Sequence, residues 1–213
     1  MRDELARLLA DAASGRFPPA DGGVTILPQP TARDAGVLDF TAHAVVFADL
    51  DPEWIRGQLP PGDLAAPMSP PFLTALCAAT GRHAGPVDLL CVAGACPGPP
   101  PLDLVPESAA EHPRIARALN FRDEISAWRA DGGVVLVGRG VAGRWEVAIE
   151  VDPDRRARGL GRALARAARH LIPAGTHLWA QVAPGNAASV RAFLAAGFTP
   201  AGAEVLLTEQ PPS

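Results

Sequence analysis

The sequence predicts an α/β protein in which a mixed central sheet is flanked by helices. Two observations carry this. Val147, Ile149 and Val151 alternate with Glu146, Ala148 and Glu150, the period of a strand, and Asp152-Pro153-Asp154 breaks it. Straight afterwards Leu160, Leu164, Ala167, Ala168 and Leu171 recur at helical spacing, and a second strand-helix pair follows at residues 177–183 and 186–196. A chain of 213 residues with an apolar fraction of 48% is long and apolar enough for one large or two small packed domains.

Taken from the start, residues 2–13 read as a helix with Leu5, Leu8 and Leu9 apolar and Gly15 as its stop. A loop is expected next, then a strand over 37–47. Asp51-Pro52 reads as an N-cap with proline in the first turn of a short helix, and 69–81 as a second helix with both ends marked. Residues 87–93 form a short apolar strand. Pro97-Gly98-Pro99-Pro100-Pro101 is a stiff linker, because consecutive prolines favour an extended chain. It sets the expected domain boundary: 1–100 as an N-terminal accessory α/β region, 101–213 as the principal domain. Beyond it, Ile115, Leu119, Ile125 and Trp128 suggest one or two helices ended by Gly132-Gly133. Residues 134–141 and 144–151 read as paired strands turning near Ala142-Gly143, and 205–208 as a last strand.

Charge and composition exclude several function classes. The formal net charge is −4, which argues against a nucleic-acid binder despite a local arginine cluster. No stretch approaches a membrane span, and Met1-Arg2-Asp3-Glu4 opens too acidic a segment for a signal peptide, so a cytoplasmic location and no membrane partner are expected. Cys77, Cys91 and Cys96 are odd in number and lack metal-type spacing, and the five histidines are scattered, so neither a disulfide framework nor a metal is expected.

The chemistry concentrates between residues 149 and 198. Arg156-Ala157-Arg158-Gly159-Leu160-Gly161 opens a helix directly after a strand. A helix N-terminus offers free amides and a positive dipole end, both suited to phosphate, and glycines allow close approach to that backbone. Arginine opposes the dipole there, so its concentration at 155, 156, 158 and 162 calls for a compensating anion. A Walker loop is excluded because the chain has no lysine, and a dinucleotide fingerprint is weak because position 164 is Leu. The plainer alternative is a solvated arginine face beside a glycine turn.

The loop resembles the cofactor loop of the GCN5-related N-acetyltransferase (GNAT) family, whose pattern of Gln or Arg, two residues, Gly, one residue, Gly or Ala falls on Arg156, Gly159 and Gly161. A second motif fits the same family: Asn186, Ser189, Phe193, Gly197 and Phe198. The resemblance is clear over 133–207. It implies a GNAT acyl-CoA N-acyltransferase fold with an additional N-terminal α/β region, which reads strand, helix, helix, strand and allows a degenerate acetyltransferase-like half. The opening strand of the family fold would come from residues 102–105 or from before the linker.

The resemblance further implies an N-acetyltransferase that moves acetyl from acetyl-CoA, its co-substrate, to an amine by direct attack in a ternary complex. The implied cofactor-binding set is Ile149, Glu150, Val151, Arg156, Ala157, Arg158, Gly159, Leu160, Gly161, Arg162, Asn186, Ser189, Arg191 and Phe193. Amides near 149–151 would bond the pantetheine arm and the thioester oxygen. Glu146 and Glu150 are the candidate general bases, Glu146 preferred for its place nearer the strand centre. Most members carry tyrosine where this chain has Phe193, which cannot protonate the leaving thiolate. Asn186 also reads as a helix N-cap, and Trp179 and Gln181 as walls of the acceptor channel. The implied partners are a small-molecule or peptide amine acceptor, with a homodimer allowed. A non-catalytic acyl-CoA-binding regulatory module is the alternative, and an RNA-contacting arginine face a weaker one.

Overall fold

The computed structural model describes residues 2–108, 116, 118, 119 and 121–209. Among these, no helix is long and apolar enough to cross a membrane. The chain divides into two compact units: residues up to Leu89 together with those from Ala201 onward, and Leu90–Pro200. The division therefore falls at Leu90 and not at the proline run, and the last strand returns to the first unit.

The first unit opens with helix α1 (Arg2–Ala13), as expected. Strand β1 (Val24–Leu27) lies where a loop was expected. The single strand expected over 37–47 is a hairpin, β2 (Ala35–Phe40) and β3 (His43–Phe47), turning through Ala42 at φ 51°. The stretch 37–47 holds no Gly, Pro or Asn to mark the two-residue turn inside it. β1 runs parallel to β3, and β2 is antiparallel to β3. Helix α2 (Pro52–Gly57) is capped by Asp51, whose side chain accepts from the amide of Glu53. Helix α3 (Pro70–Thr80) ends at Gly81 in the left-handed conformation. Ile55, Phe72 and Leu76 from these helices bury against Ala35, Val37, Val46 and Leu207.

Strand β4 (His83–Ala84) and strand β11 (Thr199–Thr208) complete the first sheet, whose order is β1-β3-β2-β11 with β4 on β11. Gly36 sits opposite Leu206, and a Cβ there would come within 2.3 Å of the Val205 carbonyl oxygen.

The second unit holds β5 (Asp88–Gly94) from Leu90 on, β6 (Val105–Glu107), β7 (Asp123–Ala130), β8 (Gly133–Arg139), β9 (Trp145–Val151), helix α4 (Leu160–Ala168), β10 (His177–Val182) and helix α5 (Ala187–Ala195). Its strand order is β5-β10-β9-β8-β7-β6. β6 to β9 are antiparallel neighbours, whereas β9 and β10, joined through α4, run parallel. Short β6 follows the linker and overlaps the stretch 102–105 only at Val105.

One expected helical stretch is corrected. Ile125 and Trp128 lie on β7, where Ala127 and Ala130 face the core. Spacings of three between apolar residues misled there, because Asp123, Glu124 and Arg129 sit among them on an exposed, bulged strand. Ile115 lies outside the described residues. Leu164, Ala165, Ala167 and Ala168 bury one face of α4, while Ala118, Ala127, Val134, Leu136 and Ala148 form a separate cluster.

Gly36→Ala is expected to destabilise the protein by about 3 kcal/mol through overpacking against a backbone carbonyl that cannot give way, measured by urea unfolding.

Candidate functional site

The site is built where β9 and β10 part. They pair in register only at Leu178 with Trp145 and Trp179 with Glu146. From Val147 to Val151, β9 keeps its pairing with β8 but has no registered partner on the β10 side. Ile149, Glu150 and Val151 lie in this opened stretch, with Glu150 exposed.

The chain then turns through residues 152–159 into α4. Arg155 pairs with Asp131 and packs over Gly132, so it belongs to the β7–β8 turn. Arg156 donates to the Val151 carbonyl at 3.2 Å and ties the loop to the strand end. Ala157 and Gly159 take positive φ, 59° and 86°. Gly159 is the N-cap residue and offers no side chain to cap the helix. Ala163 makes the first bond back to Gly159, leaving the amides of Leu160, Gly161 and Arg162 without an intrahelical acceptor. The first turn carries no acidic residue, and Arg158 and Arg162 are exposed with no ion pair among the described residues.

Helix α5 behaves differently. Asn186 caps it, its side-chain oxygen accepting from the Ser189 amide at 3.1 Å. The two motifs meet at Gly161: a Cβ there would lie 3.7 Å from both the Ala192 Cβ and the Val151 side chain and 4.0 Å from Ile149. Thus the end of β9, the start of α4 and one side of α5 converge. Ser189 is partly buried and Arg191 exposed on that helix. Phe193 is buried, its ring edge-on to Phe198 at 5.0 Å between centroids.

At the root of the opening lies a buried charge cluster. Glu146 is 1% exposed. Its carboxylate meets Arg144 Nε at 2.8 Å and Arg122 Nε at 2.9 Å. It also accepts from Gln181 Nε2 at 3.1 Å and, more weakly, from the Val141 amide at 3.4 Å. Arg122 in turn donates to Gln181 Oε1 at 2.8 Å, and the Arg144 guanidinium sits 5.3 Å over the Trp179 ring. Burial by itself would push the Glu146 carboxyl up, but Arg144 and Arg122 together hold it below the usual carboxylate range.

Residues 147–206 match the family described as FR47-like protein. That segment, 147–206, is therefore similar to a known family. The fold is similar to a GCN5-related N-acetyltransferase from Kribbella flavida, at 19% identity over 64% of this chain and 63% of that one, with a TM-score of 0.42. It is also similar to a GNAT-family acetyltransferase from Colwellia psychrerythraea, at 13% identity over 64% and 61%, with a TM-score of 0.38. A third similar structure is a tandem GNAT protein from the clavulanic acid biosynthesis pathway, at 16% identity over 73% and 63%, with a TM-score of 0.40. The chain thus spans less than two thirds of the length of each of these three. No curated protein matches it.

Within residues 147–206, side-chain placement sorts the expected residues. Arg158, Gly159, Leu160, Gly161 and Arg162 surround the uncapped amides, while Asn186 and Phe193 are committed to capping and packing. Trp179 is buried, and Gln181, part-buried, bonds Glu146 and Arg122 in the charge cluster. Sequence reasoning missed Arg122 and Arg144. Arg144 stands two residues before Glu146 on one strand face, an opposite-charge spacing that signals a same-face pair. Arg122 had no local signal. A cavity of about 320 Å³ beside Pro106, Glu107 and Trp128 contains none of the expected residues.

Ala157→Gly is expected to raise stability by up to about 1 kcal/mol by relieving left-handed strain, and Gly159→Ala to lower it by about 1 kcal/mol; denaturant titration of both reads the loop's backbone. Glu146→Gln is expected to cost about 3–5 kcal/mol, because it leaves two guanidinium groups without their buried counter-charge. Since the folded carboxyl titrates below its free value, its contribution is present above the ordinary carboxylate range and lost as pH falls through the depressed value. Acid unfolding of the wild type should therefore steepen there, and the variant should lack that component.

Proposed function

We propose that the chain binds acetyl-CoA along the opening between β9 and β10 and transfers acetyl to an amine by direct attack in a ternary complex. The uncapped N-terminus of α4 beside the parted strands carries the reading. Amides of Leu160, Gly161 and Arg162, with the unpaired charges of Arg158 and Arg162, suit a pyrophosphate. The strained turn at Ala157 supports a loop shape held for a ligand. Amides in 149–151 suit the pantetheine arm and would oppose charge developing on the thioester oxygen. Asn186, Ser189 and Arg191 would flank the ligand from α5.

Proton transfer is assigned by environment. Glu146, buried and held ionised by two arginines, suits positioning better than exchange with an acceptor. Glu150, exposed two pairs farther along the same strand face, is the better-placed base. The leaving thiolate would take its proton from solvent or Ser189, since Phe193 offers none. The acceptor is a small-molecule or peptide amine. The buried Phe193 and the committed Glu146 also favour a second reading, a non-catalytic acyl-CoA-binding regulatory module.

Gly161→Glu places an acid in the first turn of α4, where the helix dipole favours it, at a site whose Cβ contacts are ordinary. We expect unchanged or slightly raised thermal stability together with coenzyme A binding weakened on the order of tenfold or more, by like-charge repulsion and loss of the amide site. Wild-type affinity by calorimetry would refute the binding reading. Thiol release from acetyl-CoA that a panel of amines stimulates supports transfer. Binding with no amine-stimulated release supports the regulatory module.

A further inference from the structure

The first unit contains a cavity of about 210 Å³ that the acyl-CoA reading does not use. Part of its lining is apolar, from Leu59, Pro60, Pro61 and Leu64, and Leu64 is 53% exposed at the cavity. The polar part includes Asp39, His43, Arg56 and Asp63.

Three of these four groups are already engaged. His43 Nδ1 lies 2.8 Å from Asp21 Oδ1 and its Nε2 lies 2.9 Å from Thr25 Oγ1, so both ring nitrogens are committed. Arg56 pairs with Glu53 at 2.5 Å. One oxygen of Asp63 accepts from the Ala65 amide at 3.0 Å. Asp39 differs. Its backbone pairs with Ala44 and Ala203, yet no hydrogen bond or ion pair reaches its carboxylate among the described residues. The group is partly buried, and that burial pushes its pKa up.

We propose that this cavity binds a small organic cation, a primary ammonium or guanidinium group on a short apolar stem, with Asp39 as the counter-ion. A carboxylate that has given up water without gaining a protein donor is repaid by a charge-assisted hydrogen bond from a ligand. Arg56 is neutralised by Glu53, so Asp39 and Asp63 leave the lining negative, which selects against anions. The leucine and proline wall covers the stem. A metal ion fits less well, because no cluster of three or more His, Cys, Asp or Glu side chains suited to a metal is found among the described residues. The site lies wholly within the first unit and stands independently of the acetyltransferase reading.

Butylamine titrated into the full chain near neutral pH tests it, with 1-butanol and butyrate as controls and the amide resonances of Gly22, Gly23, Val24 and Ala44 as reporters. The expected result is saturable shifts with butylamine and none with the controls. Asp39→Asn should weaken binding on the order of tenfold or more, the worth of a charged hydrogen bond. Leu64→Arg, made at an exposed position on the cavity wall, brings an internal guanidinium and should block butylamine while the fold is kept. Absence of saturable shifts in the wild type, equal shifts with butanol, or wild-type affinity in both variants would overturn the proposal.

Discussion

Everything at the candidate site depends on β9 and β10 ceasing to pair after Glu146. A parallel pair that continued to Val151 would consume the amides of 149–151 in a ladder and leave nothing to offer a ligand. A buried charge cluster lies at the last pair. Glu146 meets Arg144 and Arg122 there, and Gln181 reaches across to Glu146 where the backbone no longer does. Burying three charges is not an efficient route to stability, since apolar packing of the same volume does as well or better. The cluster stands beside the point where the strands separate.

The two helix starts beside this opening illustrate opposite uses of the same physics. Asn186 satisfies α5 internally, so that terminus has less to give. Gly159 leaves α4 open, and the flanking arginines add charge where the helix dipole is already positive. A terminus that is uncapped, free of acidic residues and arginine-flanked is unfavourable alone and becomes favourable with an anion. Gly161 then matters for access more than for packing, since a Cβ there would make only ordinary contacts with Ala192 and Val151.

The sequence revealed this end of the chain well because its signals are local. The alternation at 145–151, the glycines at 159 and 161 and the Asn186 cap each act within a few residues, and the structure places them as spacing implied. Non-local features were not legible. Nothing near Arg122 says that it will meet Glu146 and Gln181, and the β2–β3 turn hides within 37–47 because Ala42, not glycine, takes the positive φ. The β7 strand was masked by exposed charges and a bulge that break its alternation. Glu146 is the instructive case: its strand face was legible, but not the burial and paired arginines that decide what its carboxylate can do.

On the proposed reading, binding and turnover would rest on different kinds of group. The features suited to a pyrophosphate are mostly backbone amides and small residues, so they survive wide change in side chains. Proton transfer rests on single side chains whose environments must suit the task. At 193 the ring is apolar and buried against Phe198, and at 146 the carboxylate is fixed by guanidinium groups. Only Glu150 on that strand face is both acidic and exposed. On the proposed reading, a chain built in this way would keep its ligand through its backbone while one exposed carboxylate and solvent set its rate, so binding and amine-stimulated release are separate measurements.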